Sequence, residues 1–160
     1  MATANSDYRV RPAAHGDAET IGRLLHDFNM EFESPTPTAQ MLGDRFRRLL
    51  ASPDVLVPLA ENDRREPIGF AFLTLRPTPY YDGPLAQLEE LYVRPALRDR
   101  GIGTELLTQA IELVRARGAG EMHINVDEID ADTRRFYERH GFVNIEPGAD
   151  YRMLCYIREL

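Results

Sequence analysis

Apolar positions along the chain follow two periods, and the switches between them divide it into eleven segments. Residues 7–13, DYRVRPA, alternate and predict a short first strand. Ile21, Leu24, Leu25 and Phe28 then recur at the spacing of one helical face, with Asp17 placed to cap that helix. SPTPT at 34–38 ends it, because the two prolines cannot continue a helix. Met41, Leu42, Phe46, Leu49 and Leu50 predict a second helix over 39–50. DVLVPLAE (54–61) and EPIGFAFLTL (66–75) read as strands around the polar turn NDRR, a hairpin pattern. RPTPYYDGP (76–84) is a loop that displays Tyr80 and Tyr81, and a strand follows to Val93. Ile102, Leu106, Leu107, Ala110, Ile111 and Val114 form the apolar face of a third helix, stopped at Gly118 and Gly120. EMHINV (121–126) predicts a strand and DADTRRFYERHG (130–141) a short helix ending at Gly141. FVNI and YRMLCYI predict two closing strands around the turn EPGAD. The expected order is βααβββαβαββ, with at least one parallel βαβ unit in the second half.

Composition narrows the class. The 160 residues fit a single domain, and 43% apolar with 28% charged residues is ordinary for a globular protein. No apolar run reaches the roughly 20 residues of a membrane span, and MATANSDYRVRP lacks the apolar core of a secretory signal. One cysteine, Cys155, allows no internal disulfide, so a reducing cytoplasmic setting is expected; its strand-like surroundings predict a buried small hydrophobe. The net charge of −7 argues against nucleic-acid binding and favours a cationic partner. All 19 basic residues are arginine. His15, His26, His123 and His140 show no metal-ligand spacing, and no metal is expected.

The chemistry concentrates in LRDRGIGTELL, residues 97–107. A Walker A loop needs a lysine after its last glycine, and the chain has none. A dinucleotide fingerprint needs a third glycine where Leu106 stands. What remains is R-x-x-G-x-G, read as Arg98, Gly101 and Gly103. Glycine lets backbone N–H groups approach a ligand closely. The following helix aims its free N–H groups and positive dipole end at the same point. With Arg94, Arg98 and Arg100 alongside, the stretch reads as a pyrophosphate cradle.

LEELYVRPALRDRGIGTELL resembles motif A of the GNAT superfamily of N-acetyltransferases, and RRFYERHGFV resembles its motif B, in the right order and with one helix and one strand between them. The resemblance spans nearly the whole chain and implies an α+β fold: a central, mostly antiparallel, splayed sheet flanked by four helices. Acetyl-CoA would lie in the splay between the family's fourth and fifth strands. The implied cofactor contacts are Leu91, Tyr92 and Val93 on the strand, then Arg98, Asp99, Arg100, Gly101, Ile102, Gly103 and Thr104 on the loop. Asp130, Thr133, Phe136 and Tyr137 complete them. Family members often carry Asn six residues before the motif B phenylalanine; Asp130 stands there, and would repel phosphate but could accept from the pantetheine amide.

An ammonium must lose a proton before it can attack a thioester, so a base is needed. Glu89 and Glu90 are the candidates; alternation along a strand turns only one of them into the cleft. Matched to the acidic pair of small-amine members, Glu89 ranks just ahead of Glu90. Tyr137 is implied as proton donor to the leaving thiolate, and a backbone N–H among 91–93 as the oxyanion donor. Phe28, Glu31, Glu33, Tyr80 and Tyr81 are expected to contact a cationic acceptor. The resemblance thus implies an acetyl-CoA-dependent transferase for a primary amine of a small molecule, and a homodimer. The alternatives are a non-catalytic acyl-CoA sensor and an acetyltransferase for protein N-termini or lysines.

Overall fold

A computed structural model describes residues 7–160; the opening six residues of the segment judged to lack a secretory signal lie outside them. Residues up to His123 form one compact unit and 124–160 another. The element order is β1 (Tyr8–Pro12), α1 (Ala18–Glu31), α2 (Ala39–Leu49), β2 (Val55–Leu56), β3 (Pro58–Asn62), β4 (Pro67–Arg76), β5 (Leu85–Val93), α3 (Ile102–Ala116), β6 (Met122–Ile124) and α4 (Ala131–Arg139). The sheet runs β1-β3-β4-β5-β6, with β2 also on β4. The pairings of β1 with β3, β2 with β4, β3 with β4 and β4 with β5 are all antiparallel.

Each face of the sheet is covered by helices from the same unit. Ala18, Ile21 and Leu24 of α1 and Phe46 of α2 pack with Leu59, Phe70 and Tyr92. Ile102 and Leu106 of α3 pack with Ala60 and Val93, the next residues along and so on the opposite face. The two covering helices α1 and α2 cross closely. A Cβ on Gly22 would lie 2.4 Å from Gly43 N, so only glycine permits that contact. No helix among the described residues is long and apolar enough to cross a membrane.

Four expectations change. Asp17 does not cap α1: its carboxylate accepts the Ala14 N–H at 2.7 Å and pairs with Arg11 at 2.8 and 2.9 Å, which leaves it unavailable to the helix. The run 54–61 divides at Val57, whose carbonyl accepts Ala13 N–H at 2.7 Å, and β3 begins at Pro58, a position where a missing N–H is tolerated. FVNI and YRMLCYI form no strands: Met153 N–H to Asn144 O, 2.7 Å, is the cross-link between them, and residues 150–160 are all exposed. An uncovered two-stranded pair is marginal, and the unit that holds these runs has a single short helix, α4, to offer as cover. Cys155 is accordingly exposed, not buried.

Candidate active site

The two adjacent glutamates of β5 have different environments because the strand carries a bulge. Phe72 pairs with Glu90 but Leu73 with Leu88, so Glu89 is an extra residue. The bulge reverses which residues face which helices. Leu88 pairs with Leu73 on one face, while Glu90 pairs with Phe72 and shares the α1–α2 face with Tyr92. Glu89 is exposed and accepts the Thr74 hydroxyl at 2.6 Å. Glu90 is half-buried, opposite Phe72 in the strand register. Desolvation there, with the Glu89 charge as a smaller contribution, pushes its pKa from 4.5 to about 7.

Tyr92 is 3% exposed and extends the same face. Its ring stacks on Phe28 of α1, with centroids 4.9 Å apart and planes at 24°. Burial raises its hydroxyl pKa. Val93 and Leu91 pack on the α3 side instead, Val93 in the core cluster and Leu91 against it.

After Val93 the chain makes one 3₁₀ turn, Pro95–Leu97, and enters the arginine-glycine loop. Two of its residues have left-handed backbone: Asp99 at φ 61° and Gly101 at φ 85°. Gly101 is the N-cap of α3 and supplies no side-chain bond to it. Glu105 N–H closes the first helical turn on Gly101 O at 3.0 Å. The N–H groups of Ile102, Gly103 and Thr104 therefore precede the first helical bond and point out of the helix end. Ile102 is 3% exposed and roots that end in the core, while Arg98, Asp99, Arg100 and Thr104 are exposed. This arrangement fits an anionic group: the free backbone donors and the dipole of α3 share one helix end, Arg98 and Arg100 precede it in the chain, and the Tyr8 hydroxyl lies 3.5 Å from where a Cβ on Gly101 would stand.

The acceptor-side candidates separate. Glu31 sits in the last turn of α1, where both its oxygens accept from Arg98 at 2.6 and 2.8 Å. Glu33 is exposed at φ 53° beyond the helix. Tyr80 and Tyr81 precede β5, at the opposite end of the strand from the arginine loop, and line a recess of about 350 Å³ with Glu121 and His123. The Tyr81 hydroxyl donates to Glu121 at 2.5 Å, which lowers the Glu121 pKa and raises that of Tyr81. In the second unit, Tyr137 is 6% exposed and its ring meets Phe136 and Phe142 edge-on at 5.1 and 5.4 Å. Asp130 caps α4 through Thr133 N–H, 3.2 Å, so its carboxylate already has a structural partner. Among the described residues no three His, Cys, Asp or Glu side chains are grouped to hold a metal.

Sequence spacing missed three features of this region: the bulge at Glu89, the bonds of Glu121 to Tyr81 and His123, and the pairing of Glu31 with Arg98. Apart from the bond between Glu121 and His123, two residues apart, each depends on a second segment distant in the chain, which no local pattern reports.

An open six-stranded, mostly antiparallel sheet with four helices and an arginine-glycine loop opening α3 is the architecture that the resemblance implied. The model of the acetyltransferase (GNAT) family matches residues 21–142, and the chain belongs to that family. It is an acetyl-CoA-dependent N-acetyltransferase by that membership and by its named relatives. It is similar to streptothricin acetyltransferase of Streptomyces lavendulae, 36% identical over 167 aligned positions that cover 88% of this chain and 84% of the relative. Aminoglycoside N(6')-acetyltransferase type 1 of Klebsiella aerogenes is 30% identical over 115 positions, covering 71% and 72%. A crystal structure of a provisionally named acetyltransferase from Arthrobacter sp. FB24 matches with a TM-score of 0.90 and 46% identity over 100% of both chains.

Proposed function

We propose that residues 1–160 act as one acetyltransferase domain that moves the acetyl group of acetyl-CoA to a primary amine of a small cationic molecule. The observation that carries this is Glu90, a half-buried carboxylate with a pKa of about 7, on the strand that leads into the arginine-glycine loop. A carboxylate of ordinary pKa is a poor base for an ammonium group at neutral pH; one near 7 is matched to the task. The environment ranks Glu90 ahead of Glu89, whose carboxylate is exposed and engaged by Thr74.

The backbone donors at Ile102, Gly103 and Thr104, with Arg98 and Arg100, would hold the pyrophosphate of acetyl-CoA. Bound there, acetyl-CoA supplies an activated thioester. Glu90 takes the proton from the acceptor ammonium. A backbone N–H among 91–93 is the donor for negative charge developing on the carbonyl oxygen; β6 has three residues against nine in β5, so among the described residues most of that edge of β5 has no strand beside it. Tyr137 donates the proton that leaves with the CoA thiol. Thr133 and Phe136 are further acetyl-CoA contacts, and so is Asp130, whose carboxylate also caps the helix through the Thr133 N–H. Of the acceptor candidates, Phe28 and Glu33 belong to the loop end of β5 and Tyr80 and Tyr81 to its other end, so a small amine meets one set or the other, and the charge of Glu31 is committed to Arg98. Names of relatives that act on streptothricin and aminoglycosides support a polycationic acceptor, as does a net charge of −7. Exposed Leu154, Tyr156 and Ile157 support a homodimer, and a lone cysteine supports a cytoplasmic setting.

The test is release of free thiol from acetyl-CoA with a panel of aminoglycosides, polyamines, amino acids and short peptides. Turnover restricted to polycationic small amines is the expected result. Turnover with peptides alone would replace the acceptor class, and CoA binding with no turnover on any amine would favour an acyl-CoA sensor.

A further inference from the structure

Two ion pairs join the end of α1 to the segment after β5. Arg94 Nη1 donates to Asp27 Oδ2 at 3.1 Å. Arg98 Nη1 and Nη2 donate to the two oxygens of Glu31 at 2.6 and 2.8 Å. Asp27 and Glu31 are four residues apart and lie on one helical face. Arg94 and Arg98 are also four apart, across the turn Pro95–Leu97. The two pairs therefore form matched rungs.

Each rung is also tied to the sheet. Arg94 Nε donates to Pro67 O at 3.2 Å and Arg98 Nε to Val93 O at 3.0 Å. The Arg98 guanidinium lies 5.8 Å from the centroid of Tyr92, whose ring also stacks on Phe28 and meets Phe70 edge-on. Three directed bonds and a ring contact fix the direction of Arg98. The next residue, Asp99, holds a left-handed conformation that a non-glycine residue keeps only when its surroundings impose it.

We propose that Asp27 and Glu31 are positioning residues for acyl-CoA: a strap of two ion pairs that sets the loop after β5 in its binding conformation before the cofactor arrives. This rests on the cradle reading above. It makes a prediction opposite in sign to simple electrostatics. Glu31 is a negative charge bound to a cradle arginine, so charge alone would have its removal tighten the binding of an anion. A loop freed from its strap must instead be ordered on binding, which weakens affinity.

The experiment is calorimetric titration of the full chain with CoA. Glu31→Gln and Asp27→Arg should each weaken binding about two- to fivefold, the range of a solvent-accessible ion pair. Asp27→Glu, which keeps the carboxylate and leaves every arginine in place, should recover at least half of the Asp27→Arg loss in log Kd, which a role confined to the packing of Asp27 would not allow. Unchanged or tighter binding in Glu31→Gln, or no recovery in Asp27→Glu, overturns the strap. If the wild-type chain itself does not bind CoA, the cradle reading falls and the strap with it; wild-type binding with an indifferent Glu31→Gln overturns the strap alone.

Discussion

The carboxyl of Glu90, paired with Phe72 across the strand, is pushed up to about 7 because burial strips water from its charge, with the Glu89 charge as a smaller contribution. That shift gives two expected signatures. Turnover should rise with pH through about 7 as Glu90 ionises, and Glu90→Gln should lose most activity together with that limb. Glu89→Gln should keep the limb, moved slightly to lower pH because a neighbouring negative charge is gone. The sign on stability follows from the same shift. A pKa raised from 4.5 to about 7 means the fold prefers protonated Glu90, so its contribution is fully present below about pH 4.5 and lost as the pH rises through 7. Glu90→Gln should therefore melt higher than wild type at about pH 8 and no higher at about pH 4. Thermal melts at the two pH values check this; an equal melting point at the higher pH would contradict a desolvated Glu90. Both glutamates were legible in the sequence as a candidate pair. Their order was not, because the bulge that separates them is a relation between β4 and β5, and neither strand records it alone.

At the scale of elements, hydrophobic spacing sufficed wherever an element is covered by another. The helices α1, α2, α3 and α4 all appear within a residue or two of their apolar faces, and the proline loops fall where φ restriction puts them. The closing runs had the same alternation as true strands but no covering layer, so alternation overstated them. The approach of α1 to α2 was invisible for a different reason: Gly22 and Gly43 look like weak helix residues until the two backbones are seen touching. Gly22→Ala should push the helices apart and cost about 1–3 kcal/mol, the scale of overpacking. Gly16→Ala, where a methyl meets nothing within 4 Å, is the control and should change stability little. Urea unfolding of both variants gives the comparison; equal midpoints would contradict the close crossing.

For the whole molecule, an acidic chain carries Arg94, Arg98 and Arg100 in the short segment that leads into one helix end. The fold puts that end directly after the strand that bears Glu90. Motif A and motif B made the family readable in the sequence, because the cradle is local along the chain: a strand end, a turn, two glycines and a helix start. The acceptor side was much less readable, since Glu31 is engaged by Arg98 and Tyr81 by Glu121.

The central claim is that the helix end at Gly101 holds the pyrophosphate of an acyl-CoA, and calorimetric titration tests it most directly. Wild-type protein should bind one CoA and show no heat with ATP or NAD under the same conditions. Gly101→Glu should abolish CoA binding, because its side chain fills the concavity, adds repulsion and must adopt φ 85°. CoA affinity unchanged in that variant would contradict the cradle, and with it the proposed path from Glu90 to acetyl transfer.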